Sequence, residues 1–274
     1  MTLILALCGI RQQVFVLLLL LIVTGLVAGV LAGLLGIGGG LVIVPALSFI
    51  LRAQGVDLAI AAPMAVATSL GTMLLTSASA IWFHDRRRGV EWPTVARLGP
   101  AVAIGALFGA LLAAQLPGQM LARVFAVLAA IIGLRMLLAV RPPASGRTPF
   151  PRGWPLVGPL IGAVSAIMGI GGGSFNVPYL ARNGYPMVKA VAIASACGWP
   201  IALGGLAGFI IAGWGQVLYE HSFGYIYLPG LLAIGLAGAL SAPLGVSLAH
   251  RLPTTTLKRL FGFLLLLIAV RMAW

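Results

Sequence analysis

Long apolar runs alternate with short polar interruptions along the chain. Val14 to Leu35, Val95 to Gln115, Ala122 to Val140 and Leu228 to Ala249 are the clearest. Each approaches or exceeds the roughly 20 apolar residues that a helix needs to cross a hydrocarbon core of about 30 Å. Pro63 to Phe83 and Ala190 to Gly213 are of similar length but are interrupted by Gly, Pro, Ser and Thr. With the shorter pieces included, the segments are 14–35, 41–51, 63–83, 95–115 and 122–140, then 155–168, 174–181, 190–213, 225–249 and 258–274. The second segment of each set is too short to cross, since eleven helical residues rise only about 16 Å. The pattern predicts an all-α polytopic membrane protein. In each set, segments one and two form a broken helical hairpin, followed by three crossing helices.

The two sets are copies. Gly36-Ile37-Gly38-Gly39-Gly40 recurs as Gly169-Ile170-Gly171-Gly172-Gly173, and Val44-Pro45 recurs as Val177-Pro178, at an offset of 133. Leu116-Pro117, Arg123, Phe125 and Arg135-Met136 recur as Leu252-Pro253, Arg259, Phe261 and Arg271-Met272, at an offset of 136. The chain therefore reads as a tandem duplication: a first membrane repeat over 1–140, a cytoplasmic linker over 141–154 and a second membrane repeat over 155–274. An odd number of segments per repeat inverts the second copy. The apolar run from Val14 exceeds a signal-peptide core of 7–15 residues, so it reads as a retained first span.

Composition narrows the function classes. The chain has 274 residues, 61% hydrophobic and 8% charged. A soluble domain carries about 25% charged residues. The net charge of +13 does not point to nucleic acid here, because the basic residues lie in short loops between apolar spans, where they set topology. With inverted copies and the Arg86-Arg87-Arg88 loop inside, 13 of the 17 Lys and Arg fall inside and 4 outside. With parallel copies the split is 10 against 7, so the positive-inside rule favours inversion. Cys8 and Cys197 sit in apolar context, and no disulfide is expected.

The glycine clusters carry the candidate chemistry. The dinucleotide fingerprint needs a third Gly where Leu41 stands, and a phosphate-binding P-loop needs a lysine that is absent nearby. Gly25, Gly29, Gly33, Gly105 and Gly109 fit ordinary close helix packing. A glycine triplet followed by proline does not, because both weaken the helix. Broken backbone at membrane depth is tolerated where it is buried in protein or lines a wet cavity, and paired breaks in two halves mark transporter substrate sites. Helix N-termini there offer N–H groups to anions. The expected substrate-binding residues are Gly36, Gly38, Gly39, Gly40, Thr68 and Ser69 from the first copy, and Gly169, Gly171, Gly172, Gly173, Asn176 and Ser195 from the second. Pro45 and Pro178 are expected to enforce the helix breaks.

Asp57, Asp85, Glu91 and Glu220 read as loop residues, so no span offers the carboxylate on which proton relays and cation sites rely. His84, His221 and His250 fall at span ends, in no metal-ligand spacing and with no nucleophile–base partner. No catalytic residue, metal or cofactor is expected. The expected partners are a small anion and the lipid bilayer. Coupling ion, oligomeric state and direction of transport are left open.

These motifs resemble the sulfite exporter TauE/SafE family of membrane permeases. The resemblance rests on the two glycine clusters with Pro45 and Pro178, on Ala67-Thr68-Ser69-Leu70, and on His84-Asp85-Arg86-Arg87-Arg88-Gly89-Val90-Glu91-Trp92. It covers nearly the whole chain. It implies a permease for sulfite, an organosulfonate or a related sulfur oxyanion in a bacterial inner membrane. The second copy departs from the first by having Ser195-Ala196 where the first has Thr68-Ser69. A passive anion channel and a non-transporting assembly subunit remain as alternatives. An intramembrane enzyme would need a nucleophile, a metal set or an acid–base pair, and none is found.

Overall fold

The computed structural model describes residues 2–36, 38–86, 88–138, 151–216, 218–249 and 254–273. Arg87 and residues 141–150 of the expected linker lie outside that set. Ten helices lie among the described residues: α1 Thr2–Leu35, α2 Gly40–Ala53, α3 Leu58–Arg86, α4 Trp92–Gln115, α5 Gly118–Leu137, α6 Trp154–Ile167, α7 Gly173–Arg182, α8 Met187–Ala212, α9 Leu228–Ala249 and α10 Thr254–Ala273. A two-stranded antiparallel ribbon, β1 Ser222–Phe223 and β2 Ile226–Tyr227, precedes α9. Six of the helices contain a stretch long and apolar enough to cross a membrane, so the chain is a multi-pass integral membrane protein. The short α2 and α7 rise only about 21 and 15 Å.

Several boundaries differ from the sequence expectation. α1 begins at Thr2 rather than near Val14, because Arg11, Gln12 and Gln13 are good helix formers and do not interrupt it. Pro63 lies inside α3, and Pro45 and Pro178 lie inside α2 and α7. The prolines therefore do not make the breaks. The chain leaves helical geometry at the glycines, several residues earlier, and each proline is the sixth residue of its helix. Asp85 belongs to the last turn of α3 rather than to a loop. The start of the expected segment 225–249 is the ribbon, whose Tyr225, Ile226 and Tyr227 are apolar enough to mimic a span.

Helix packing interleaves the two halves. α1 lies along α9 and α6 lies along α4; α3 lies on α9 and α8 on α4; α3 meets α8, and α5 meets α10. Glycines set these contacts. Gly25, Gly29 and Gly33 approach the backbone of Ile234, Gly238 and Ala242 in turn, so α1 and α9 run parallel. Gly105 and Gly109 approach Pro159 and Ala163, so α4 and α6 run parallel. Small residues let helix backbones approach closely where lipid supplies no hydrophobic drive between helices. The same register logic makes α3 parallel to α9, through Gly71 on Leu231 and Gly235 on Leu75. It makes α4 parallel to α8, through Gly99 on Pro200 and Gly204 on Ala103. α3 and α8 run antiparallel, since Ser77 meets Gly198 while Leu70 meets Gly205. These two are the most buried helices of the bundle, whereas α1 shows most of its surface to the outside. Phe15, Phe108, Leu240 and Leu260 are among the large apolar side chains facing outward. On a bilayer-spanning protein they meet lipid.

Candidate functional site

The two glycine breaks meet. Gly38 packs against the Cα and backbone nitrogen of Gly171, and Gly40 faces the carbonyl of Gly169. A methyl group on Gly38 would stand 3.0 Å from the Gly171 Cα. Gly38 also touches Met73, midway along α3, and Gly172 lies beside Ile201, midway along α8. The junction therefore sits at mid-height of the two central helices.

The breaks are built differently. Gly36, Gly38 and Gly39 all have φ between +69 and +76°, which an L side chain rarely adopts. In the second break only Gly169 does, at +64°. Gly172 is helical at φ −58°, and the need for glycine there is spatial, because a Cβ would overlap the amide nitrogen of Asn176. Gly39 faces away from the junction, with the Ala28 carbonyl of α1 2.8 Å from where its Cβ would be. It is a packing position as well as a turn. Gly40 and Gly173 are the first residues of α2 and α7, whose N-termini carry no side-chain cap.

The expected polar residues fall into two groups. Thr68 and Ser69 are buried and engaged: the Ser69 hydroxyl donates to the Gly169 carbonyl at 2.7 Å, and Thr68 Oγ1 accepts from the Tyr227 N–H at 2.9 Å. Ser69 thus ties α3 to the opposite break, while Thr68 holds the ribbon before α9. Asn176 and Ser195 are buried and have no partner among the described protein groups, the amide oxygen and nitrogen of Asn176 included. Asn176 lies against Gly172, and Ser195 Oγ lies against Gly36. Buried polar side chains nearly always find partners, and an amide left alone at membrane depth costs several kcal/mol. Thr76, Ser165 and Ser174 also have hydroxyl oxygens that are buried and unpaired. Their sequence signal was weak, since Ser and Thr in membrane helices usually bond their own backbone. No group of three His, Cys, Asp or Glu side chains able to hold a metal ion occurs among the described residues.

The acidic residues keep to the helix ends. Asp57 accepts from the Ala59 N–H at 2.7 Å at the start of α3. Asp85 accepts from the Trp92 indole N–H at 2.8 Å, and Glu91 pairs with Lys189 at 2.8 Å.

A family model described as the sulfite exporter TauE/SafE matches residues 21–272. The chain belongs to the TauE/SafE family. Two relatives are similar over almost their full lengths. A probable membrane transporter protein from Haemophilus influenzae is 34% identical over 260 residues, covering 94% of this chain and 98% of its own. Another from Methanocaldococcus jannaschii is 28% identical over 254 residues, covering 92% and 94%. No solved structure matches.

Proposed function

We propose that this membrane transporter is a secondary permease for a small anion bound where the two glycine breaks meet. The substrate class is sulfite, an organosulfonate or a related sulfur oxyanion, and the membrane is a bacterial inner membrane. The observation that carries this reading is Asn176 at the junction, fully buried with both side-chain polar atoms unpaired. An anion would accept from its amide, from the Ser195 hydroxyl and from the uncapped N-termini of α2 and α7. Charge-assisted bonds of this kind are stronger than neutral ones. No carboxylate stands at mid-span to repel the anion, and neutral donors let it leave again.

The proposed mechanism is alternating access by two inverted repeats, 1–140 and 155–274. Supporting it, each of α1, α3 and α4 runs opposite to its counterpart α6, α8 and α9, as the glycine registers above imply. Glu91 and Lys189 pair across the copies, which places the α3–α4 loop and the start of α8 at one end of the bundle. Tyr219 donates to Gln54 at 3.0 Å at the other end. There the ribbon is held by Thr68 and by the packing of Tyr225 on Phe209, with ring centroids 5.8 Å apart. Rocking about the α3–α8 crossing would open that end and close the opposite one.

Purified protein in liposomes should move one of sulfite, sulfate, thiosulfate, sulfoacetate or a small carboxylate with saturable kinetics. Flux that never saturates and ignores a counter-gradient identifies a passive channel. No flux with any of these anions favours an assembly subunit.

A further inference from the structure

At the arginine-rich end, between α3, α4 and α8, lies an open cavity of about 700 Å³. Its walls are apolar apart from Asp85, and three tryptophans, Trp82, Trp92 and Trp199, line it. All three remain substantially exposed. So apolar a surface offers nothing to a hydrated oxyanion, and the cavity is separate from the Asn176 junction. We propose that it seats an acyl chain of an anionic phospholipid from the leaflet on this side, with the phosphate held at the mouth by Arg86 and Arg88.

The mouth supplies the charge. The Arg86 guanidinium lies 4.6 Å from the centroid of the Trp82 ring, a cation–π contact that fixes it beside a wall residue. The chain turns sharply there: Arg88 adopts φ +52°, and its N–H donates to the carbonyl of the wall residue Asp85 at 2.7 Å, which sets the Arg88 backbone beside the cavity wall. Of the nearby acids, Asp85 accepts from the Trp92 indole and Glu91 is paired with Lys189. Arg86 and Arg88 outnumber Asp85, the one carboxylate in the cavity wall. Basic sites between membrane helices bind anionic head groups, and tryptophans favour that depth of the bilayer. The cavity wall includes Ala196, next to Ser195, so a lipid seated here contacts the stretch of α8 that borders the first glycine break.

Delipidated full-length protein equilibrated with equal amounts of dioleoyl phosphatidylglycerol and dioleoyl phosphatidylcholine, then examined by native mass spectrometry, tests this. Wild-type protein should retain phosphatidylglycerol in preference. Neutralising Arg86→Gln and Arg88→Gln should reduce that preference by about fivefold per charge removed. Both residues are exposed, so folding is spared. Filling the cavity with Ala78→Leu and Ala96→Leu, also exposed wall positions, should release both lipids. Equal retention of the two lipids by wild type, or an unchanged preference in the arginine variant, overturns the proposal. Displacement of the lipid by saturating sulfite would make the cavity a substrate path and overturns it too. Flux plays no part in the readout, so the lipid site and the transport reading fail separately.

Discussion

Replacing Asn176 by leucine separates binding from folding. The side chain is fully buried, touches Gly172, and has no protein partner for its oxygen or nitrogen. If the residue were structural, its loss would remove hydrogen bonds and cost stability. None is made here, so Asn176→Leu removes an unsatisfied amide, a group whose burial costs about 1–3 kcal/mol, and keeps nearly the same shape. The variant should melt at the wild-type temperature or higher. Binding should suffer instead. A hydrogen bond to a charged group is worth about 1.5–3 kcal/mol, which is roughly a 10- to 150-fold loss of affinity. Melting in detergent gives the first quantity, and the anion concentration that half-stabilises the protein gives the second. A variant that melts several degrees lower while binding the anion normally would instead make Asn176 part of a hydrogen-bond network and remove it from the binding site.

The two breaks should respond differently to substitution. Gly172→Ala, at helical φ, should displace Asn176 and weaken anion binding with little loss of melting temperature. Gly39→Ala, at φ +76° and against the Ala28 carbonyl, should lower stability by 1 kcal/mol or more, read as a lower melting temperature. Cysteines placed at Arg88 and Glu220 in a Cys-free background should label from opposite sides of the membrane; labelling from one side would sink the inverted arrangement. Asp57→Asn, Asp85→Asn, Glu91→Gln and Glu220→Gln, made singly, should each leave measurable flux, because all four acids sit at helix ends or in turns. Abolished flux in a correctly inserted variant would reinstate a carboxylate relay.

Much of this architecture was legible in the sequence for specific reasons. A glycine triplet in an apolar run has no helical explanation, so both breaks and the short helices after them could be located. The repeat offset of 133 pairs the two glycine clusters in the sequence itself. The prolines misled: each is the sixth residue of its helix, where the missing N–H removes an intrahelical bond without ending the helix. Helix ends drifted for similar reasons: Arg11 and the glutamines continue α1, and Tyr225 to Tyr227 imitate a span while forming a ribbon. The site was legible only in part. The bond between Ser69 and Gly169 joins residues 100 apart in the chain, and no local pattern announces it. Gly39 and Gly172 look alike in sequence, yet one is demanded by φ and by α1, the other by the Asn176 amide. Composition and periodicity reveal which residues are small or polar. Packing between the interleaved halves decides which of them are left unsatisfied.

The proposed transport requires an anion sitting at the junction of the two breaks. Selenite, an isovalent analogue of sulfite with the same pyramidal shape, carries a strong anomalous scatterer, and a crystal of the protein grown with it would locate the ion directly. An anomalous peak is expected between the two breaks, within hydrogen-bond distance of the Asn176 amide and the Ser195 hydroxyl. A peak elsewhere, or none there at concentrations that saturate flux, would contradict it.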